Sequence, residues 1–404
     1  MNRRNMLYAL LLAVAFPTML KVYGASLRAN ILFVMLLAMF TLFAYGRESR
    51  FQYDKDFRVL SLGTARSGEG AAYDCIRVLA CVLVIVTHIV NMDVDAGVFT
   101  GESTNYVMRI VYILALICNP LFIMLSGCLL LEAKEESLKD FYLKRVTKIA
   151  VPMIAYYFLC MVLCGYEFNG KNVGNALLGL VTGDTPLAPQ YWLMYTLLEL
   201  YVLVPFLRVM LKEMPYKYLT YIVWIFYIFS ALIYFIPVKV KIVPEFASFL
   251  GVFIIGHWLK KEETRKYFRL IQILGIVSLV AMCIIIKFSE YHLAIVANAS
   301  PIMVTIAMAV YTLVLQAYKG KEKKHPVLGF ISKYSFGIIL VHAVVMVYLQ
   351  NTLKINCGQW FIIGGTLRYG LLVFVVSLIW AYLFDNTAIF IINLIMRGKK
   401  HDNN

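Results

Sequence analysis

The stretch AAYDCIRVLACVLVIVTHIV, residues 71–90, decides how the rest of the chain is interpreted. It is an apolar run of the length that crosses a bilayer, about 20 residues. It nevertheless carries Asp74, Arg77 and His88. Because a helix turns by about 100° per residue, these three side chains fall on one face. Ionisable groups inside a membrane are costly and usually functional, so the stretch predicts a membrane helix with one functional face.

The composition extends this interpretation to the whole chain. The sequence is 61% hydrophobic and only 15% charged, whereas about a quarter of the residues in soluble domains are charged. Apolar segments of membrane-spanning length recur from end to end, and no polar stretch is long enough for a soluble domain. We therefore predict an all-α, polytopic membrane bundle.

The net charge of +15 does not indicate a nucleic-acid partner. The Lys and Arg residues lie in short loops between apolar segments, where they act as topology signals. A basic surface that also attracts anionic lipid or cofactor phosphates stays open as a second interpretation. The alternation of basic and non-basic loops predicts that both termini are cytosolic and that the protein lies in the cell membrane.

Twelve spans are predicted from apolar length. They cover residues 6–22, 30–46, 72–94, 106–131, 147–166, 190–210, 217–237, 244–260, 270–287, 300–318, 327–349 and 369–395. The corresponding units are two N-terminal spans with a linker (1–71), a membrane core (72–395) and a basic tail (396–404). The first segment also fits a cleaved signal peptide, since a basic start precedes an apolar stretch; we expect an uncleaved span.

The cysteines and short motifs exclude several chemistries. Seven of the eight cysteines lie inside apolar segments, without disulfide or metal-ligand spacing, so no metal is predicted. The sequence has no H-E-x-x-H, G-x-S-x-G, Walker or G-x-G-x-x-G pattern. These absences argue against a zinc protease, a serine hydrolase of the usual pattern, an ATP-driven pump and a dinucleotide enzyme.

The face of the first core helix that carries Arg77 and His88 suits a path by which a ligand reaches into the membrane. Arg77 lies near the inner interface, where a guanidinium can bind a phosphate-bearing ligand. His88 lies eleven residues later, about 16 Å of helical rise, and its imidazole can exchange a proton near neutral pH. The alternative is structural: Arg77 anchored at the interface and paired with Asp74, and His88 hydrogen-bonded within the bundle.

Five segments in order carry a family resemblance. They are YDCIRVLACVLVIVTHIV (73–90), NPLFIMLSGCLLL (119–131), FYLKRVTKIAVP (141–152), QYWLMYTLLELYVLVPFL (190–207) and ISKYSFGIILVHAVV (331–345). Together the five segments resemble the acyltransferase-3 family of integral membrane acyltransferases over residues 72 to 395. The pattern departs from the family at Ile339, where an aromatic is common, and at FDN (384–386), where Glu-x-Pro is frequent.

The resemblance implies transfer of an acyl group, most often acetyl, from cytosolic acyl-CoA to a hydroxyl of a cell-surface glycan. Arg77, held by Asp74, would bind CoA phosphates together with Arg145 and Lys148. His88 would act as general base or as acyl carrier. Anchoring of the basic residues at the inner interface explains them equally well.

Two other ionisable residues lie at depth. Glu199 sits near the middle of its span, where it could orient His88 or bind acceptor hydroxyls, or simply bond a neighbouring Tyr or Trp. His342 is fifteen residues into its span. It could share a pocket with His88 or hydrogen-bond a helix backbone.

Three further residues are candidates for substrate contacts. Ser126, beside Gly127, could donate to an oxyanion, although small residues are common at helix contacts. Trp192 and Tyr195 could stack on a sugar ring, although an aromatic belt at the outer interface is the usual reason for such residues.

Rival functions stay open at this point. A transporter or flippase of a lipid-linked glycan would suit many spans and buried His and Glu, but paired Gly- or Pro-broken spans in two matching halves are not seen. A silent scaffold of a surface-polymer machine would tolerate loss of His88. Within the acyltransferase interpretation, the acceptor and the choice of acetyl or succinyl are open. Expected partners are membrane lipid, acyl-CoA and a glycan acceptor, with a second copy or a glycan-assembly protein as a further option.

Overall fold

The computed structural model describes most of the predicted core. It covers residues 66–95, 102–132, 136–164, 166–167, 169–235, 248–288, 298–353 and 362–401. The two N-terminal spans predicted at 6–22 and 30–46 lie outside the described residues, as do Cys357 and the chain after residue 401.

The described chain is helical throughout, with no strand in these ranges. Its α-helices are α1 (Gly68–Asp95), α2 (Glu102–Ala115), α3 (Cys118–Leu130), α4 (Leu138–Arg145), α5 (Val151–Leu163), α6 (Gly170–Thr182), α7 (Trp192–Lys212), α8 (Tyr216–Phe235), α9 (Phe249–Lys260), α10 (Phe268–Phe288), α11 (Pro301–Tyr318), α12 (Pro326–Leu353) and α13 (Ile362–His401).

Within the described ranges, eight helical segments are long and apolar enough to cross a membrane. They are Gly68–Met92, Glu102–Leu130, Pro189–Lys212, Tyr216–Phe235, Glu262–Phe288, Pro301–Tyr318, Pro326–Gln350 and Gly365–Asn386. Two shorter apolar helices, Lys148–Leu163 and Phe249–Lys260, occupy the two remaining core positions. The polytopic helical fold is therefore confirmed, whereas the count of twelve and the orientation of the termini stay predictions.

The basic loops meet at one end of the bundle. The Gly68 amide donates to the Lys321 carbonyl at 2.9 Å, and Arg265 pairs with Glu69 at 2.5 Å. Lys261 pairs with Glu132 at 2.5 Å. These contacts join the start of α1, the end of α3, the α9–α10 loop and the α11–α12 loop. We call this the basic end. By alternation, α6 and the loop before α7 lie at the opposite end.

The helix α1 is the centre of the bundle and packs against α2, α3, α11, α12 and α13. A second close pairing joins α3 to α9. A Cβ on Gly127 would meet the Phe253 carbonyl, and a Cβ on Gly256 would meet the Met124 carbonyl. The two backbones touch here because neither glycine carries a side chain.

The junction of α4 and α5 is a π-helical turn, Val146–Ala150. Pro152 follows at the start of α5. Proline has no N–H and its ring crowds the carbonyl four residues earlier, which is that of Lys148, so a widened turn relieves the conflict. The turn lies directly after Arg145.

Candidate active site

A three-residue chain fixes Arg77 near the basic end. Asp74 is only 2% exposed. The Ser332 hydroxyl donates to Asp74 Oδ1 at 2.6 Å and accepts from Arg77 Nη1 at 2.9 Å. Arg77 Nη1 also lies 3.5 Å from Asp74 Oδ1. The structure thus brings Asp74 and Arg77 together as expected and adds Ser332, which the sequence did not single out.

Arg145 and Ser126 join this group through Tyr201. The Arg145 guanidinium lies 5.8 Å from the centre of the Tyr201 ring and 5.0 Å from that of Phe141. The Tyr201 hydroxyl donates to Ser126 Oγ at 3.2 Å, and Tyr201 lies in the neighbourhood of Arg77. Arg145 Nε is buried and has no hydrogen-bond partner among the described residues. The group therefore presents a cation with an unused donor.

Arg208 is a further cation that sequence reasoning missed. It lies 5.0 Å from the Phe141 ring, on which Arg145 also packs. Its Nε donates to the Leu130 carbonyl at 2.7 Å and its Nη1 lies 3.4 Å from Glu136. Its Nη2 is buried without a partner in the described part of the chain. At the sequence level, Arg208 looks like any arginine at the inner end of a span.

Lys148 is placed differently from Arg145. Its side chain is exposed on the π-helical turn. It can add positive potential at the basic end, but the structure does not place it against Arg77.

Two imidazoles form the deeper part of the site. The rings of His88 and His342 lie 5.0 Å apart, centre to centre, and are tilted by 49°. His342 is fully buried, and its Nδ1 lies 2.7 Å from the Ile339 carbonyl. Because a carbonyl can only accept, Nδ1 carries the proton and Nε2 carries the lone pair. Nε2 has no partner among the described residues, so it is poised to accept a proton.

The arginine group and the imidazole pair are connected along one helix interface. Helices α1 and α12 both begin at the basic end and run parallel. Two hydrogen bonds and one ring contact cross between them at three successive levels. These are Asp74 with Ser332, the Cys81 thiol with the Ser335 carbonyl at 3.8 Å, and His88 with His342. The interface therefore leads from the guanidinium at one end to the imidazoles, about 16 Å of helical rise away.

Three predicted site residues lie away from this interface. Glu199 is exposed on α7 and has no hydrogen bond or ion pair within the described ranges. Trp192 is 39% exposed, with its ring centre 6.1 Å from that of Phe249. The Tyr195 hydroxyl donates to the Leu180 carbonyl at 2.8 Å and so ties α7 to α6. Ser126, as described above, lies with the arginines rather than the imidazoles.

Asp385, in the segment that departs from the resemblance, has a packing environment of its own. It accepts a hydrogen bond from the Tyr156 hydroxyl at 2.7 Å. A Cβ on Gly337 would approach Asp385 Oδ2 at 3.2 Å and would also meet the Tyr156 hydroxyl. The contact joins α5, α12 and α13, which indicates a structural role.

Comparison with known proteins addresses the family directly. No curated protein and no solved structure matches the chain. The sequence model of the acyltransferase-3 family, described as "Acyltransferase domain", matches residues 71–385. This match covers most of the chain, begins at α1 and includes both the arginine group and the imidazole pair. The chain therefore belongs to the acyltransferase-3 family.

Proposed function

We propose that this protein is a cell-membrane acyltransferase that moves an acetyl group from acetyl-CoA to a hydroxyl of a surface glycan. The observation that carries the proposal is the parallel α1–α12 interface, which joins the fixed Arg77 to the His88–His342 pair. The basic end faces the cytosol, as the positive-inside rule expects. The donor then approaches from that end, and the acceptor approaches from the other.

The arginine group fits the phosphates of a CoA donor. Buried donors without partners are costly, and neither Arg145 Nε nor Arg208 Nη2 has a partner among the described residues. A phosphate oxygen would satisfy them with charge-assisted hydrogen bonds. Ser332 and Asp74 orient the Arg77 guanidinium. Arg77 can therefore make a third contact with the phosphates of the donor. Lys148 would contribute attraction at longer range.

The imidazole pair supplies the acid–base chemistry. His342 Nε2, or a ring nitrogen of His88, takes the proton of the acceptor hydroxyl as the hydroxyl oxygen bonds to the thioester carbonyl carbon. The carbon–sulfur bond then breaks, and the imidazolium returns the proton to the departing thiolate. The second imidazole stabilises the positive charge of the first by accepting or sharing its proton. An alternative order, in which His88 first carries the acyl group, uses the same residues.

The position of Ser126 changes its expected role. It lies beside Tyr201 and the arginines, closer to the basic end than the imidazoles. This position favours support of the donor-binding Tyr201 over stabilisation of an oxyanion. Trp192 and Tyr195, at the opposite end, remain candidates for contacts on the acceptor side.

Transfer of label tests the proposal against its rivals. Inside-out membrane vesicles would receive radiolabelled acetyl-CoA on the cytosolic face, with succinyl-CoA as an unlabelled competitor. We expect label in the glycan fraction that mild base releases, and weak competition by succinyl-CoA. A protein that translocates lipid-linked glycan without incorporating label would be a flippase. A protein with neither activity would be a scaffold.

A further inference from the structure

A polar cavity opens at the opposite end of the bundle, away from the arginine group. It has a volume of about 400 Å³, within the range of roughly 300–1,000 Å³ that small-molecule sites occupy. It lies between the C-terminal part of α5, one side of α6 and the loop that leads to α7. The polar and aromatic residues of its described lining are Tyr157, Tyr166, Asn172, Asn175, Thr182 and Asp184.

Helix α6 has a polar face and an apolar face, and the polar face lines the cavity. Asn172, Asn175 and Gly179 follow a helical i, i+3, i+7 pattern and line the cavity. Leu177 and Val181 lie on the exposed side and are 47% and 84% exposed. A helix with this division lies in the membrane interface with its apolar face toward lipid. On the cavity side, the Asn172 amide donates to the Glu167 carbonyl at 2.9 Å and the Asn175 side chain is exposed.

The chemistry of the lining selects a class of ligand. Among the described residues, no Lys, Arg or His lines the cavity, and Asp184 is the only charged residue of that lining. An anionic ligand or a phosphate would therefore meet repulsion without compensation. Amides, a hydroxyl and a carboxylate provide both donors and acceptors for hydroxyl groups, and the exposed Tyr166 ring offers an apolar surface beside them. This combination suits an uncharged polyhydroxyl ligand.

A series of contacts leads from the wall of the cavity toward the imidazole pair. Tyr157 in the wall packs on Tyr191, with ring centres 6.0 Å apart. The neighbouring Gln190 is 3% exposed, and its Nε2 donates to the Leu340 carbonyl at 3.1 Å, two residues before His342. Gln190 Oε1 is buried and has no partner among the described residues. It can accept a hydrogen bond from a hydroxyl that reaches this point.

We infer that this cavity is the acceptor subsite and that it binds a neutral carbohydrate, with Asn172, Asn175 and Asp184 as the principal hydrogen-bonding groups. The inference rests on the proposed function, because it assigns the acceptor of the same reaction. Gln190 connects the subsite to the imidazole pair as a positioning residue.

The test separates binding from transfer. The probe is surface polysaccharide from a deletion strain, freed of esters with mild base, and the protein is the full chain in nanodiscs. The variants are Asn175→Leu, Asp184→Asn and Tyr166→Ala, with Lys171→Ala as the control because Lys171 is an exposed residue of α6 outside the lining. Two readouts are taken: binding of the polysaccharide, and the KM of transfer for polysaccharide and for acetyl-CoA.

We expect each cavity variant to raise the polysaccharide KM and its dissociation constant roughly tenfold, as loss of a hydrogen bond or ring contact implies. The KM for acetyl-CoA, the slow hydrolysis of acetyl-CoA without acceptor, and the melting temperature should not change.

Unchanged polysaccharide binding in all three variants overturns the inference. If the wild type still transfers acetyl in that case, the proposed function stands. Binding that is lost in the variants of a protein without any transfer activity supports the subsite and overturns the proposed function. Tetramethylammonium serves as a probe for a cation site at Asp184. If the cavity binds this cation and does not bind the polysaccharide, the inference is overturned.

Discussion

His342 is held by a single strong contact, the 2.7 Å hydrogen bond from its Nδ1 to the Ile339 carbonyl. This bond leaves Nε2 as the proton acceptor beside His88. We predict that His342→Ala lowers kcat by about 10²- to 10⁴-fold, the usual contribution of a general base. The measurement is acetyl transfer in membranes with matched protein abundance. His325→Ala, an imidazole at the basic end, is the control and should keep full activity. Equal activity of His342→Ala and His325→Ala would contradict the base assignment.

Ser332 links Asp74 to Arg77, so its loss should act through the arginine. In Ser332→Ala, Asp74 Oδ1 loses its shortest hydrogen bond and Arg77 loses its partner at 2.9 Å. We predict that the KM for acetyl-CoA rises by about 10-fold, since hydrogen bonds to charged groups are worth about 1.5–3 kcal/mol, with kcat nearly unchanged. Ser335→Ala is the matched control, because Ser335 Oγ bonds only the Ser332 carbonyl within its own helix. A fall in kcat at constant KM would show that Arg77 serves the chemistry rather than donor binding.

At the scale of elements, the α3–α9 contact depends on two glycines. A methyl group on Gly127 would overlap the Phe253 carbonyl, so the helices would have to separate. We predict that Gly127→Ala lowers stability by about 1–3 kcal/mol, the range for overpacking, seen as a lower melting temperature in detergent. Gly174 on α6 has open space around it, and Gly174→Ala should leave stability unchanged or raise it. Equal melting temperatures for the two variants would show that α3 and α9 do not touch there.

The ends of α3 and α9 are also joined by charge. Burial raises the pKa of Glu132, but hydrogen bonds from Lys261 and Lys260 outweigh that effect and hold the pKa below its ordinary value. The carboxylate therefore stabilises the fold above its ordinary pKa, and this contribution is lost as the pH falls through the lowered value. His257 Nδ1, 3.8 Å away, is the other titratable group that faces it.

We predict that Glu132→Gln melts at a lower temperature than wild type at pH 7, and that the difference shrinks as the pH falls below the ordinary pKa of a glutamate and disappears once the pH is below the lowered pKa of Glu132. Melting curves of both proteins across this range give the measurement. A difference that persists at low pH would mean that the carboxylate acts by shape or hydrogen bonding and not through its charge.

At the scale of the whole molecule, the sequence predicted well how deep each residue lies along its membrane helix. It predicted poorly whether a side chain faces lipid or the interior of the bundle. The shared face of Asp74, Arg77 and His88 follows from helical geometry alone, and the apolar lengths place the core helices. Glu199 shows the limit. Residues that face lipid and residues that face the bundle are both apolar in α7, so the sequence gives no signal for which way Glu199 points.

The partnerships between helices could not be predicted for the same reason. That His342 meets His88 depends on α1 and α12 being parallel neighbours in a fixed register, which is a property of packing. Arg208 was hidden because its position at the inner end of a span has an ordinary topological explanation. The polar cavity beside α6 needs three separate segments to be brought together, and none of them carries a motif.

We proposed that the His88–His342 pair carries out acyl transfer to a surface glycan and that His88 is needed for it, and base-labile acetate on that glycan tests this most directly. A deletion strain would be complemented with wild type or with His88→Ala at matched membrane abundance, and ester-linked acetate would be measured on the isolated polymer. We predict that wild type restores the acetate and that His88→Ala does not. Restoration by both proteins would show that His88 is structural and would contradict the account.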